Sequence, residues 1–451
     1  MVSPAATEKS GYAEAFRGLR ERLRAGGGPA WLEQLRERAF GSFERSGFPS
    51  INNEEWKYTN VAPIAKAQFE PSPEGQAGAG ALDASELRPF AYAEAGQSRL
   101  VFVNGFYRAE LSAVEALPPG VVAADLNEAL RDDGHAALMR AHLERRAGDD
   151  GNAFTALNTA FFAGGAFLLI PRGVKVEAPV HLLFLADNRQ AGGVLSSPRV
   201  LVVAERDSAA TLIESYESLG DGPYLTNTVV ELVLAEGAEL EHYKVQRESL
   251  EAFHVATTNA GLGRNSRYNS TAITLGAGLS RHDINVVLDQ EGAECWVDGL
   301  YLVGTGQHTD THSVIDHRRP HCTSHQLYKG ILDGKSRAVF NGKIFVREGA
   351  QQTDARQANR NLLLSNEARV DTKPQLEIFA DDVKCAHGAT VGQLEEEELF
   401  YLSSRGLHPD IARNLLTYGF AEEVIDKIKL ESIKAQLDEA VLNRLQARLE
   451  A

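Results

Sequence analysis

The stretches LVVAERDSAATLIESY (Leu201–Tyr216) and LVLAEGAELEHYKV (Leu232–Val245) share one pattern: an apolar run, a small polar turn, then alternating residues. Further copies start at Ala260 (AGLGRNSRYNSTAIT), Val286 (VVLDQEGAECWVDGL), Gly330 (GILDGKSRAVFNGKI) and Leu362 (LLLSNEARVDTKPQL). The last apolar residue before each turn is Ala204, Ala235, Leu262, Leu288, Leu332 and Leu364, giving gaps of 31, 27, 26, 44 and 32 residues. The long gap holds a half-copy, LYLVGTGQ, and Val303 to Leu332 spans 29 residues. A repeat of about 30 residues without intervening helices is what a parallel β-helix produces, each coil burying its inward face on the next. A β-sandwich is the rival, since its strands recur about every 8–12 residues. The long-period self-similarity favours the coil. Without helix-length segments between strands, a doubly wound α/β fold is excluded.

Outward from the repeat, the chain turns helical. Thr7–Arg24 and Pro29–Arg45 read as amphipathic helices, with Pro29 suited to a first turn. PSINNEEWKYTN (Pro49–Asn60) carries Trp56 and Tyr58, aromatics best explained by docking onto their own domain. PSPEGQAGAGA (Pro71–Ala81) reads as a flexible linker. Asn104-Gly105 between β-formers predicts a hairpin. Ala124–Arg146 and Ala153–Phe162 are expected helices. After Gln393, helices are expected over Leu394–Arg405, Asp410–Lys429 (opened by Pro409) and Leu430–Leu449, the tail carrying apolar residues on two faces. The division expected is 1–152 mainly helical, 153–393 β-helix and 394–451 helical. The terminal coils leave open sheet edges, and both helical ends are placed to cap them.

The 451 residues are 43% hydrophobic and 24% charged, a globular composition. A net charge of −16 argues against nucleic acid or an anionic membrane as the main partner. Three cysteines are too few for a disulfide framework, which points to a reducing compartment. The amino terminus has no apolar signal region, so a cytoplasmic location is expected.

Three stretches invite a chemical reading. In DDVKCAHGATVGQ (Asp381–Gln393), Cys385 and His387 stand two apart, so an extended strand points both to one face. Thiolate with imidazole suits zinc, copper(I) or iron–sulfur chemistry. Two ligands are too few for a closed site, so another chain must complete it or the binding is transient. The plainer reading is a small buried cysteine beside a satisfied histidine. In QHTDTHSVIDHRRPHCTSH, His308, Asp310 and His312 can share one face like a two-histidine, one-carboxylate iron site, the basis of an alternative reading as a β-helix metal enzyme. Polar ladders on an outer face explain the same residues, including His317, His321 and His325. GILDGKS (Gly330–Ser336) falls one residue short of a phosphate loop and lies inside a β repeat. Asp283, Asp289 and Asp298 offer acids for polysaccharide cleavage but read better as solvated turn residues.

The run NGKIFVREGAQQTDARQANRNLLLSNEARVDTKPQLEIFADDVKCAHGATVGQLEEEELFYLSSRG (Asn341–Gly406) resembles the SufB/SufD family of iron–sulfur cluster assembly scaffolds. FLLIPRGVKVEAPVHLLF (Phe167–Phe184) and DTHSVIDH (Asp310–His317) are similar too, and the resemblance runs from about Phe154 to Phe420. VKCAHGATVG and WKYT resemble the SufD branch rather than SufB. The resemblance implies a right-handed parallel β-helix between helical ends, in a complex of SufB, SufD and the SufC ATPase. It implies a non-catalytic scaffold whose β-helix edge pairs with SufB; whether a second copy takes that place when SufB is absent does not follow from the sequence. SufC would bind Leu394–Leu430 and hydrolyse the ATP. His387 would face a SufB cysteine across the joint, with Cys385 beside it, where a transient cluster forms; none would be held tightly by the isolated chain.

Overall fold

The computed structural model describes residues 4–67, 69–72, 82, 85–146, 151–189 and 193–450; most of the expected linker Pro71–Ala81 lies outside them. Between residues 165 and 392 the chain winds through eight coils of two strands each, forming two parallel sheets. The first sheet runs from Gly165–Ile170 to Arg369–Ile378, and the second from Val180–Ala186 to Val383–Gly392. Strands neighbouring in a sheet are consecutive coils in parallel register, which a sandwich does not give. The fold is a right-handed parallel β-solenoid, the hand that parallel crossovers adopt.

Periodicity of two sets the interior. Leu234, Leu262 and Leu288 stack in register on the inward face, all within 2% of full burial. The turn leaving the first sheet needs a left-handed residue in successive coils: Asp207, Gly237, Asn265, Gly292, His321 and Gln352 have φ between 53° and 71°. Their N–H groups donate to the next coil's carbonyl, as Asp207 does to Glu236 O at 2.9 Å and Gly237 to Arg264 O at 2.8 Å. This explains the small polar turn of the repeat. It also explains the 44-residue gap. Leu288 closes a first-sheet strand, whereas Leu332 closes a second-sheet strand, so the interval is one and a half coils.

At the amino-terminal end both sheets are extended by the preceding region. Arg99–Val103 pairs parallel with Val180–Ala186 and forms the expected hairpin with Phe106–Tyr107. Val122–Asp125 pairs antiparallel with Gly165–Ile170. The single helix expected over Ala124–Arg146 is therefore broken. Sheet pairing takes its first residues, Asp125 caps Leu126–Ala129 through Asn127 N, and Asp133–Arg146 starts anew. Helices Pro4–Ala25, Ala30–Ser46 and Ala153–Phe161 pack an aromatic cluster, including Phe16, Phe40, Phe43, Phe154 and Phe161, onto Leu225, Val255 and Leu279.

The carboxy-terminal helices do not cap the other end. Helices Pro409–Ile425 and Glu431–Glu450 lie along the outer face of the second sheet, where Val424, Ile425, Ile428, Ile433, Leu437 and Val441 cover Ile213, Tyr243, Ile273, Leu300 and Ile331. Lys427 reaches Asp298 at 2.7 Å and Lys429 reaches Glu241 at 2.5 Å. An apolar outward row on the sheet draws the tail across its face, away from the expected capping position.

Candidate functional site: the uncovered mouth of the solenoid

The last coil consists of Arg369–Ile378 and Val383–Gly392, and each strand pairs on one side alone. Cys385 is in register with Ala355 and His387 with Gln357, both buried interior positions. Cys385 and His387 therefore share the inward face, as strand parity requires. Because no ninth coil follows, that face lies at an open mouth. Cys385 is partly buried against the core, and His387 is exposed. Burial, with Asp354 nearby, pushes the Cys385 thiol up, which disfavours its thiolate form. Among the described residues no group of three or more His, Cys, Asp or Glu side chains is arranged to hold a metal ion. The mouth offers an incomplete pair of soft ligands on an unpaired double edge. Its margin carries three exposed apolar residues, Ile378, Phe379 and Val391, Phe379 by 59%, beside exposed Asp381, Asp382 and Lys384.

The histidine-rich stretch has a different surrounding. His308, Asp310 and His312 share the outward face of strand His308–His317, and the Pro49–Asn60 segment covers them. Thr59 Oγ1 lies 2.8 Å from His308 Nε2 and donates to Asp310 Oδ2 at 2.5 Å. Arg281 Nη1 donates to Asp310 Oδ2 at 2.8 Å and to Glu55 O at 2.7 Å, and its guanidinium stacks over Trp56 at 3.7 Å. His312 Nε2 is 3.1 Å from Asp310 Oδ1, and its Nδ1 is 3.4 Å from Glu55 Oε2. Burial opposes charge on His312, but Asp310 and Glu55 outweigh it and push the imidazole up to about 9. Burial likewise opposes the Asp310 charge, yet Arg281 and His312 hold its carboxyl well below the usual range. A buried arginine occupies the place a metal would need, so this trio clamps the amino-terminal segment, with Trp56 against Phe154 at 5.2 Å. Of the other histidines, His317 is buried against Ser324 at 2.8 Å, His321 sits in the left-handed turn, and His325 stacks on Trp296 at 5.7 Å.

The remaining motifs are structural. Gly330 lies inside strand Thr323–Leu332, and residues 333–336 lead straight into strand Arg337–Val346 with no helix between, so GILDGKS cradles no phosphate. Asp283 pairs with Arg281, Asp289 with Arg318 and Asp298 with Lys427.

One cluster had no signal beyond parity. Inward-facing Glu214, His242, Lys244, Glu248 and His254 are buried inside the solenoid. His242 bonds Glu214 and lies 2.9 Å from Tyr268 Oη; His254 Nδ1 is 2.7 Å from Glu248; Lys244 Nζ is 2.9 Å from His254. Burial lowers Lys244 to about 8, although Glu214 and Glu248 support its charge. Only the register, read coil by coil, places these groups together, so the sequence presents them as ordinary polar strand residues.

The family model described as "SUF system FeS cluster assembly, SufBD core domain" matches residues 184–420, and that of the SufBD protein N-terminal region matches 6–182. An iron–sulfur cluster assembly SufBD family protein of Synechocystis sp. is 39% identical over 404 residues, covering 87% of this chain and 86% of the relative. Iron–sulfur cluster assembly protein SufD of Escherichia coli is 32% identical over 408 residues, covering 90% of each. SufD of Bacillus subtilis is 28% identical over 425 residues, covering 91% of this chain and 93% of the relative. With the core-domain model matched over most of the solenoid and the N-terminal model over the region that precedes it, the chain belongs to the SufB/SufD family of iron–sulfur cluster assembly proteins.

Proposed function

We propose that this chain is a non-catalytic scaffold subunit of a SufBCD-type complex, and that its open mouth is half of the place where a nascent cluster is built. The observation that carries this is the pair Cys385 and His387, set on the inward face of an end coil on which, among the described residues, no further strand stacks. A SufB-like solenoid pairing with strands Arg369–Ile378 and Val383–Gly392 satisfies their free backbone groups and buries Ile378, Phe379 and Val391. It also brings the missing ligands, completing the soft set that two side chains leave short. The cluster is cargo, assembled and passed on.

The ATPase partner fits the helices at 394–430. Phe400, Tyr401, Ile411 and Leu415 are all more than half exposed there, on helices Glu396–Ser404 and Pro409–Ile425. The second of these is bolted to the solenoid: Lys329 Nζ donates to Phe420 O at 2.9 Å and pairs with Glu423. Movement of the helices by an ATP-driven partner is thereby transmitted to the sheet that ends in His387. In this arrangement the chain acts as three parts, 1–152, 153–393 and 394–451. Without SufB, a second copy can cover the mouth.

The test is His387→Ala in a co-expressed complex. The complex is expected to assemble normally while iron and sulfide content falls to background. Wild-type cluster yield in that variant removes His387 from the mechanism.

A further inference from the structure

Inside the last three coils a short amide ladder leads to the mouth. Gln326, Gln357 and His387 occupy the same inward column in successive coils. Gln326 Nε2 donates to Ser313 Oγ at 2.9 Å, and Gln357 Nε2 donates to Gln326 Oε1 at 2.8 Å. The ladder fits because Gly342 faces it; a Cβ there would stand 2.4 Å from Gln357 Nε2. Gln357 is 3% exposed, and its Oε1 is buried without a hydrogen-bond partner. An interior acceptor in that state is unfavourable and is normally satisfied.

The direction from which a donor can come is restricted. Gln357's own N–H side is committed toward the interior. Across the lumen, Gly342 has no side chain, and Pro374, in register above it, has neither an N–H nor a polar side chain. Asn359, the next inward residue of the same strand, spends its amide protons on Tyr301 Oη at 3.2 Å and Tyr328 O at 3.3 Å. His387 stands directly above, one strand spacing of about 4.8 Å away.

We infer that Gln357 is a positioning residue for His387: its Oε1 accepts one ring N–H and leaves the other ring nitrogen as a lone pair aimed out of the mouth. This deepens the proposed function and rests on it for its purpose, although the hydrogen bond itself can be tested without any cluster. A neutral imidazole ligates through whichever nitrogen carries no proton, and the partner of its N–H decides which one that is. The Ser313–Gln326–Gln357 ladder is then a rigid support that presents His387 in one tautomer before the partner arrives.

The experiment is nitrogen NMR on the full chain with labelled histidine, read from the ring-nitrogen shifts of the neutral form. In the wild type His387 should populate one tautomer, favoured about tenfold over the mixture of a free imidazole. Gln357→Met, similar in size and without an acceptor, should return His387 to the free mixture. Gln357→Glu, which keeps an acceptor, should preserve the single tautomer. Thr372 Oγ1 is a second buried unpartnered atom near the mouth, so Thr372→Val serves as the control and should leave the tautomer unchanged. A wild-type His387 already in the free mixture overturns the inference, and does so even if Gln357→Met fails to fold. So does a tautomer that follows Thr372→Val instead of Gln357. These outcomes are independent of His387→Ala cluster yield, so either reading can fall alone.

Discussion

At the scale of single residues, the most heavily engaged side chain is Arg281, which joins Asp283 and Asp310, carries Trp56 on its plane and holds Glu55 O. A buried arginine needs such partners, because removing one leaves an uncompensated charge. His312 shares Asp310 with it, and its raised pKa has a readable consequence. A group charged more readily in the folded state contributes stability that is fully present below its ordinary value near 6.5. That contribution is lost as pH rises through about 9. The shift corresponds to at most about 3 kcal/mol. Buried Lys244, held down from 10.5 to about 8, acts with the opposite sign between those two values, which overlaps only the upper end of the His312 range. The informative quantity is therefore a difference. His312→Gln should be less stable than the wild type at pH 6.5, and the gap should close by pH 9.5, measured by thermal unfolding. A gap unchanged with pH would mean that His312 is neutral in the folded chain.

At the scale of one coil, the interior is filled by pairs that fit in one arrangement. Gly299 is in register with Tyr328, and Tyr301 with Gly330, in the adjacent coil. A Cβ on Gly299 would lie 2.2 Å from Tyr328 Cε1, and one on Gly330 would lie 2.0 Å from Tyr301 Cε2. Rigid rings cannot yield as a flexible side chain can, so Gly330→Ala should destabilise the chain by about 1–3 kcal/mol in chemical denaturation. Combined with Tyr301→Ala, the two losses should sum to clearly more than the measured total, since the double variant removes the clash. Full additivity would show that the ring moves aside freely. This packing also marks where reading the sequence stops. The repeat length, the polar turn and the shared face of Cys385 and His387 follow from a period of two and from left-handed turn residues, so they were legible. Which of the two sheets Leu332 belonged to was not, because both sheets end their strands on apolar residues. Glu214, His242 and Lys244 were also hidden, since inward polar residues break the alternation on which such reading depends.

At the scale of the molecule, the two ends of the solenoid are treated differently. The amino-terminal region adds strands to both sheets, while the carboxy-terminal helices turn back along the second sheet and leave the last coil bare. The sequence suggested two capped ends, because helices flank the repeat on both sides. The outward apolar row at Ile213, Tyr243, Ile273 and Ile331 decides otherwise, and it is visible only once the strands are aligned. A bare double edge has little local stability, since backbone groups without a neighbour exchange with solvent. In the isolated chain, amide hydrogen exchange should therefore be fastest within the solenoid at Arg369–Ile378 and Val383–Gly392, and slow at Phe253–Leu262 and Arg267–Thr274. Adding a SufB-like solenoid should protect the two last strands together, by tenfold or more for about 1.4 kcal/mol of local stabilisation. An ATPase partner should instead protect Glu396–Ser404 and Pro409–Ile425 and leave the mouth exposed. Protection of the last strands by the ATPase alone, or none by the solenoid partner, would place the shared site elsewhere on the chain.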